Sequence, residues 1–130
     1  MKKLRVFLVD DNDIDLTVNN KLIQLAEITK DIVVFSSATA FLNKIQNDAA
    51  LDQWDNILLL DIMMPGMSGF DCMVEFEKLP DSITSQFRVF MLSSSIDRND
   101  IRRAEQTKFV KRVLEKPLDT YLLKRLLKES

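Results

Sequence analysis

Five short apolar runs recur along this 130-residue chain, and segments with apolar residues at helical spacing separate them. The runs are Leu4–Val9, Ile32–Phe35, the leucine-rich run that ends at Asp61, Phe87–Leu92 and Val110–Leu114. Short, nearly continuous apolar runs are typical of strands that are buried on both faces. Strands that alternate with helices form parallel sheets through right-handed crossovers. We therefore predict one α/β domain over residues 1–130, with a doubly wound sheet of five parallel strands and five helices.

The helical segments carry start signals and apolar stripes. Ser68 precedes a segment whose apolar face would comprise Phe70, Met73 and Val74, and Asp119 has the position of an N-cap for the last helix. These signals predict where two helices begin. The apolar stripe predicted for the first helix comprises Ile14, Val18, Leu22 and residues 25–26.

Acidic residues stand at the ends of two of the apolar runs. Asp10 and Asp11 follow the first strand, and Asp61 follows the third. In the strand order 2-1-3-4-5, these two strands flank the topological switch point, where side chains beyond their carboxyl ends share one crevice. Three carboxylates this close need a cation or raised pKa values, and a hard metal such as Mg²⁺ suits them. Lys116, just after the fifth strand, adds a positive charge, so that with Mg²⁺ the charges cancel and the pocket suits a phosphoryl group.

The composition excludes several kinds of site and location. The chain has no histidine, which excludes Ser-His-Asp and Cys-His nucleophile pairs, imidazole zinc sites and a phosphohistidine on this chain. The single cysteine, Cys72, cannot form an internal disulfide, and we predict a small, semi-buried apolar side chain without chemistry. The first apolar run is too short for a signal peptide, and acidic residues follow it directly. No apolar run is long enough to span a membrane. We therefore expect a cytoplasmic protein.

Charge is unevenly distributed along the chain. Residues 1–97 contain 8 basic and 15 acidic side chains, whereas residues 98–130 contain 10 basic and 5 acidic ones. The basic last third is either a docking face for an acidic protein surface or a solvated helix face with scattered lysines. The net charge of −2 and the lack of a nucleic-acid reader motif predict no direct contact with nucleic acid.

Five motifs, in order, resemble those of the receiver domain of bacterial two-component response regulators, and the resemblance covers the whole chain. It implies a flavodoxin-like topology, with a cis bond between Lys116 and Pro117. The matching segments are the acidic pair Asp10-Asp11, the phosphoacceptor Asp61, the loop Met64-Pro65-Gly66-Met67 with Gly69, the pair Ser93-Ser94, and Lys116-Pro117.

The resemblance also implies a reaction and a metal. Asp61 would accept a phosphoryl group from a phosphohistidine on a sensor histidine kinase or a phosphotransfer protein. Mg²⁺ would be held by Asp11, Asp61 and the backbone carbonyl of Met63, with Asp10 acting through a bound water. Lys116 and the metal would neutralise the phosphoryl oxygens. Such a domain is not an enzyme in the ordinary sense, because it catalyses only the phosphorylation and dephosphorylation of its own aspartate.

The switch implied by the resemblance involves the loop after the fourth strand. Ser93 and Ser94 would contact the new phosphoryl group, and Ser93 would draw this loop inward. Val113 departs from the family, which usually has an aromatic residue at this position of the fifth strand. Phe109 stands where glycine is common, and we hypothesise that it contributes an apolar patch to a partner face.

Two positions beside the predicted site bear on how long a phosphoryl group would persist. Met63 lies two residues after Asp61, and Ser95 lies two residues after Ser93. Neither side chain orients an attacking water as an amide or carboxylate would. We therefore predict a comparatively long-lived phosphorylated state.

Several alternatives remain open at the level of sequence. The main prediction is a stand-alone receiver that signals to a downstream protein through the face of its fourth helix, fifth strand and last helix, including Arg102 and Arg103. A fragment of a longer regulator would have the same sequence.

A phosphohydrolase of the haloacid-dehalogenase type would need a second aspartate where Met63 stands. A receiver-fold interaction module that is never phosphorylated is the other alternative. A P-loop nucleotide switch is excluded because no G-x-x-x-x-G-K-[ST] motif occurs.

Overall fold

The computed structural model describes residues 2–95 and 97–129. The strands are β1 (Lys3–Val9), β2 (Ile32–Phe35), β3 (Trp54–Asp61), β4 (Phe87–Ser93) and β5 (Val110–Glu115). The α-helices are α1 (Asp13–Leu25), α2 (Ala38–Gln46), α3 (Gly69–Glu77), α4 (Asp81–Thr84), α5 (Arg98–Glu105) and α6 (Thr120–Glu129), and one 3-10 turn, Leu51–Gln53, precedes β3. None of the helices in the described ranges is long and apolar enough to cross a membrane.

All five strands are parallel and lie in the order β2-β1-β3-β4-β5, as predicted. The register places Val9 of β1 opposite Leu60 of β3, and Asp61 opposite Leu92 of β4. The carboxyl ends of the three central strands are therefore level with one another. The one-turn helix α4, which follows Pro80, was not predicted, because four residues carry no measurable helical period.

The sheet is buried on both faces by two apolar layers. One layer is aromatic, and the rings of Phe7, Phe41, Phe76 and Phe87 lie against one another with centroids 5.4–5.9 Å apart. The other layer is mainly aliphatic and comprises Val6, Leu8, Ile23, Ile57, Leu59, Leu114 and Leu123 together with Phe90, among others. Each large side chain that is fully buried stabilises the fold by about 1.5–3 kcal/mol. These layers hold the strand ends that form the site.

Helix α1 is present, but its predicted buried stripe is only partly correct: Leu22 packs against the core, and the stripe fails at other positions. Ile14 is 74% exposed and Val18 is 40% exposed, whereas Asn19 and Ile23 are buried. The helix therefore turns a different face to the sheet than the apolar spacing indicated. An asparagine on the buried face is tolerated because its side-chain oxygen accepts a hydrogen bond from the backbone N–H of Leu118.

Helix starts agree better with the sequence. The Ser68 hydroxyl accepts from the backbone N–H of Asp71, and the Asp71 carboxylate accepts from the backbone N–H of Ser68, which is a capping box at the start of α3. Asp119 caps α6 by accepting from the backbone N–H of Leu122. Val74, predicted on the apolar face of α3, is instead 52% exposed.

Cys72 and Phe109 both lie against the core. Cys72 is completely buried rather than semi-buried, and burial raises the pKa of its thiol to about 12, so this thiol stays protonated and unreactive. Phe109 has a left-handed backbone with φ of 76°, and its half-buried ring meets Phe76 edge-on at 5.5 Å. The ring therefore packs against the core and stays partly exposed, and the hypothesis that Phe109 contributes an apolar patch to a partner face remains a prediction.

Candidate functional site

The carboxyl ends of β1 and β3 bring three carboxylates together. Asp10 follows β1, Asp61 ends β3, and Asp11 comes next after Asp10. One carboxylate oxygen from each of the three lies within 4.8 Å of the others. Asp10 and Asp61 are buried, whereas Asp11 is exposed. The predicted convergence of these acidic residues is present in the structure.

Lys116, which is far from these aspartates in sequence, places its ammonium group beside their carboxylates. Its backbone N–H donates to the carbonyl oxygen of Ser93 at 2.9 Å, which fixes the loop after β5 to the end of β4. Its Nζ lies 2.8 Å from a carboxylate oxygen of Asp10 and 3.3 Å from one of Asp61. The peptide bond between Lys116 and Pro117 is cis, as the family resemblance implied.

Asp15 also contacts Lys116, and sequence reasoning missed it. The Nζ of Lys116 lies 2.9 Å from a carboxylate oxygen of Asp15, in the first turn of α1. The available signal was spacing, because Asp15 comes one helical turn after Asp11 and can face the same pocket. The pocket therefore contains four carboxylates around one ammonium group.

The start of α1 is organised around the acidic pair. The Asn12 side chain caps this helix by accepting from the backbone N–H groups of Ile14 and Asp15. The backbone N–H of Asn12 donates to a carboxylate oxygen of Asp10 at 3.0 Å. One residue thus fixes both the buried carboxylate of Asp10 and the helix that carries Asp15.

The electrostatics follow from burial and mutual repulsion. Burial and the nearby charge of Asp10 raise the pKa of Asp61 to about 6, although the ammonium of Lys116 opposes this shift. Burial lowers the pKa of Lys116, but hydrogen bonds to Asp10 and Asp15 and the charge of Asp61 more than offset it. The pKa of Lys116 therefore lies above its ordinary value. Lys116 stays charged at any physiological pH.

The donor set fits a hard divalent cation. Three carboxylates within 4.8 Å of one another supply oxygen ligands only, which are those that Mg²⁺ prefers. The exposure of Asp11 leaves one side of the group open to water, and Mg²⁺ usually keeps several water ligands. The raised pKa of Asp61 is also the condition that a cation relieves.

The loop after β4 holds the predicted hydroxyl residues. Ser93 is buried, and its hydroxyl donates to the carbonyl oxygen of Ser95 at 2.6 Å. The backbone N–H of Ser95 in turn lies 3.3 Å from this hydroxyl. Ser94 is exposed beside it. The hydroxyl of Ser93 is thus bonded within its own loop in this state.

The loop after β3 leaves little room around Asp61. The backbone N–H of Gly69 donates to the carbonyl oxygen of Ile62 at 2.9 Å. A Cβ at Gly69 would lie only 2.5 Å from the backbone oxygen of Asp61, so a side chain is excluded there. The side chain of Met63, which belongs to this loop, is 71% exposed.

A separate groove of about 420 Å³ lies between α5 and β5. Val113, where the family usually has an aromatic residue, is half-buried and lines this groove with Ile101 and Val110. Arg103 is partly engaged, because its guanidinium lies 4.2 Å from the ring centre of Phe70. The other basic side chains on α5 and β5, which include Arg102, Lys111 and Arg112, are exposed.

Comparisons with known proteins agree with this geometry. Residues 6–128 match the family model for the response regulator receiver domain. The chain is similar to a response regulator receiver protein from Dyadobacter fermentans, with 32% identity, a TM-score of 0.91, and coverage of 97% of this chain and 96% of that one. It is also similar to a two-component response regulator from Cytophaga hutchinsonii, with 30% identity, a TM-score of 0.89, and coverage of 99% and 97%.

A third solved structure supports the fold alone. It is a receiver domain protein from Methanospirillum hungatei, at 23% identity and a TM-score of 0.68, with coverage of 95% of this chain and 90% of that one.

Proposed function

The chain belongs to the response regulator receiver domain family, and from this premise we propose that it accepts a phosphoryl group on Asp61 and signals through a conformational switch. The donor would be a phosphohistidine on a sensor histidine kinase or a phosphotransfer protein. Residues 1–130 would act as one receiver domain in the cytoplasm. The observation that carries the proposal is the Lys116 ammonium between the carboxylates of Asp10 and Asp61, at 2.8 and 3.3 Å.

The proposed reaction is a displacement at phosphorus. A carboxylate oxygen of Asp61 forms a bond to phosphorus, the bond to the donor imidazole nitrogen breaks, and that nitrogen keeps the electron pair. Lys116, which the surrounding carboxylates keep charged, donates to a phosphoryl oxygen and so stabilises the negative charge.

The metal would be held by residues at the same strand ends. Asp11, Asp61 and the backbone carbonyl of Met63 would bind Mg²⁺ directly, and Asp10 would act through a bound water. The ion would supply positive charge next to the phosphoryl oxygens. The four carboxylates of the pocket have too much negative charge for Lys116 alone to balance. This imbalance supports a divalent cation as part of the working site.

The switch would begin at Ser93. Its hydroxyl now donates to the carbonyl oxygen of Ser95. A phosphoryl group on Asp61 offers a charged acceptor, which is the stronger partner for a hydroxyl donor. The Ser93 hydroxyl would leave Ser95 and draw the loop towards the pocket, with Ser94 contacting the phosphoryl group. Since Val113 replaces the usual aromatic residue, the movement would reach α5 through the loop that joins it to β4.

The output surface would be the basic face of α5, β5 and α6, and its partner an acidic protein surface. Arg102 on α5 and Lys111 and Arg112 on β5 are exposed there. Direct binding of nucleic acid and of membranes is not part of this proposal. Charge reversal at Arg102 should weaken partner binding. An unchanged affinity would place the output surface elsewhere.

The test is intact-protein mass spectrometry after incubation with Mg²⁺ and acetyl phosphate, a small phosphodonor. The wild type should gain one phosphoryl group, and Asp61→Asn should gain none. Asp55→Asn, which removes a carboxylate from the opposite end of β3, is the matched control and should be phosphorylated like the wild type. If Mg²⁺ binds and no phosphoryl group is gained, the proposal fails and the unphosphorylated interaction module becomes the better description.

A further inference from the structure

We propose that Asp15 is a positioning residue that shifts the pocket towards binding the cation and away from binding the phosphoryl group. This inference rests on the proposed function, because it concerns the same pocket. Neither the acidic pair nor the phosphoacceptor motif includes Asp15. It enters the pocket from α1 and contacts Lys116 at 2.9 Å, nearly the same distance as Asp10.

The first argument is the number of hydrogen-bond donors on Lys116. A lysine ammonium has three N–H groups and no acceptor. Hydrogen bonds to Asp10 and Asp15 use two of them, at 2.8 and 2.9 Å, and Asp61 forms an ion pair with Nζ at 3.3 Å. A phosphoryl group on Asp61 must therefore share Lys116 with two carboxylates that already bind it closely. Without the charge of Asp15, only Asp10 would compete closely with the phosphoryl group for the ammonium of Lys116.

The second argument is charge. Asp10, Asp11, Asp61 and Lys116 together carry two negative charges when ionised, and Asp15 adds a third. Additional negative charge attracts a divalent cation and repels the oxygens of an incoming phosphoryl group. Removing the charge of Asp15 should therefore weaken the binding of the cation and favour the binding of the phosphoryl group. A residue that only stabilised the fold would not produce opposite changes in cation and phosphoryl binding.

Exposure limits the size of the effect. The side chain of Asp15 is 35% exposed, whereas that of Lys116 is 10% exposed. Water therefore screens the charge of Asp15 more than that of the buried Asp10. We expect changes of about two- to fivefold, in the range of a partly exposed ion pair.

The test compares Asp15→Asn with the wild type in two measurements. Isothermal titration with Mg²⁺ alone, on unphosphorylated protein, should show a dissociation constant raised about two- to fivefold. Intact mass spectrometry at saturating Mg²⁺ should show acetyl phosphate transferring its phosphoryl group about two- to fivefold faster. Asp15→Glu keeps the charge and should restore both values towards those of the wild type.

A matched control lies two residues before Asp15. Asp13 lies in the same first turn of α1 and is exposed, and among the described residues it forms no ion pair with Lys116. Asp13→Asn removes the same charge and should change both measurements by less than Asp15→Asn does. An equal change in the control would show that only the overall charge matters, and would overturn the proposal.

The remaining outcomes separate this inference from the proposed function. If the wild type binds Mg²⁺ and is phosphorylated, but Asp15→Asn equals it or shifts both measurements in the same sense, only the role of Asp15 is overturned. If the wild type neither binds Mg²⁺ nor gains a phosphoryl group, the proposed function fails, and the role of Asp15 fails with it.

Discussion

The side chain of Asn19 and the backbone of Leu118 are hydrogen-bonded across 99 residues of sequence, with the Leu118 N–H donating at 3.2 Å. Asn19 is buried in α1, and Leu118 lies in the same loop as Lys116, between β5 and α6. This bond therefore joins the helix that presents Asp15 to the segment that presents Lys116. The two partners of the Lys116–Asp15 ion pair are held by the same pair of elements.

Replacing Asn19 should destabilise this junction. Asn19→Ala leaves a buried backbone N–H without its acceptor, which costs about 1–3 kcal/mol of the free energy of unfolding. Urea unfolding measures this change. Asn20→Ala is the control, since the Asn20 side chain accepts only an exposed hydrogen bond from Gln24, and it should cost less than about 0.5 kcal/mol. Equal losses in the two variants would contradict this assignment.

The raised pKa of Asp61 predicts a pH-dependent effect on stability. Because its pKa is about 6 in the folded protein and 3.8 in the reference state, folding becomes less favourable as pH rises from about 4 to 6. Asp61→Asn removes this penalty. It should raise the free energy of unfolding by about 1–3 kcal/mol above pH 7, and by much less near pH 4.

The measurement is urea unfolding of both proteins at several pH values without divalent cations. Adding Mg²⁺ should stabilise the wild type more than Asp61→Asn, because only the wild type offers the third carboxylate. A difference between the two proteins that stayed constant from pH 4 to pH 8 would be inconsistent with a raised pKa.

Phe109 combines favourable packing with backbone strain. Its ring packs against Phe76, while its φ of 76° lies in the left-handed region, which costs a non-glycine residue about 1–2 kcal/mol. Phe109→Ala should therefore destabilise the fold by about 2 kcal/mol. Phe109→Gly should be about 0.5–1 kcal/mol more stable than Phe109→Ala, because glycine relieves the strain.

Glu27 provides the control for strain alone. It also has a left-handed backbone, with φ of 57°, but its side chain is exposed and has no ring to lose. Glu27→Gly should exceed Glu27→Ala in stability by the same margin of about 0.5–1 kcal/mol. Urea unfolding measures all four variants. If alanine and glycine were equivalent at both positions, the strain argument would be wrong.

Met63 predicts a long-lived phosphorylated state. Its exposed, apolar side chain lies two residues after Asp61 and cannot orient an attacking water as an amide or a carboxylate would. Met63→Asn places an amide there and should speed the loss of the phosphoryl group by about two- to tenfold, as water-positioning amides do in phosphoryl transfer. Mass spectrometry after removal of acetyl phosphate measures the decay. Met63→Leu stays apolar and should decay like the wild type, and a Met63→Asn decay no faster than that would contradict the prediction.

The predictions of the strands and of the sheet were confirmed because strands buried on both faces appear in the sequence as short, continuous apolar runs. The runs that end at Asp10 and Asp61 are apolar on both faces, and parallel connectivity then places those residues side by side. Cap residues such as Ser68 were also predictable, since a hydroxyl three residues before an acid has few other uses at a helix start.

The prediction errors in α1 arose because a polar residue is buried there while apolar residues are exposed to solvent. The prediction for α1 followed the apolar positions Ile14 and Val18, whereas the buried face includes Asn19. The hydrogen-bond partner that lets Asn19 be buried is Leu118, which is 99 residues away and cannot be found from local periodicity. Asp15 was missed although its spacing from Asp11 was a signal, because its partner Lys116 is 101 residues away.

The contact between Asp10 and Lys116 spans 106 residues, and it has a consequence during synthesis. The ribosome synthesises the chain from its amino end. The carboxylates of Asp10, Asp11 and Asp61 therefore emerge well before the ammonium of Lys116, which balances their charge. Contacts this far apart in sequence form late, because a long loop must first be closed. Under the proposed function, phosphorylation of Asp61 would therefore require that the segment carrying Lys116 has already joined the sheet.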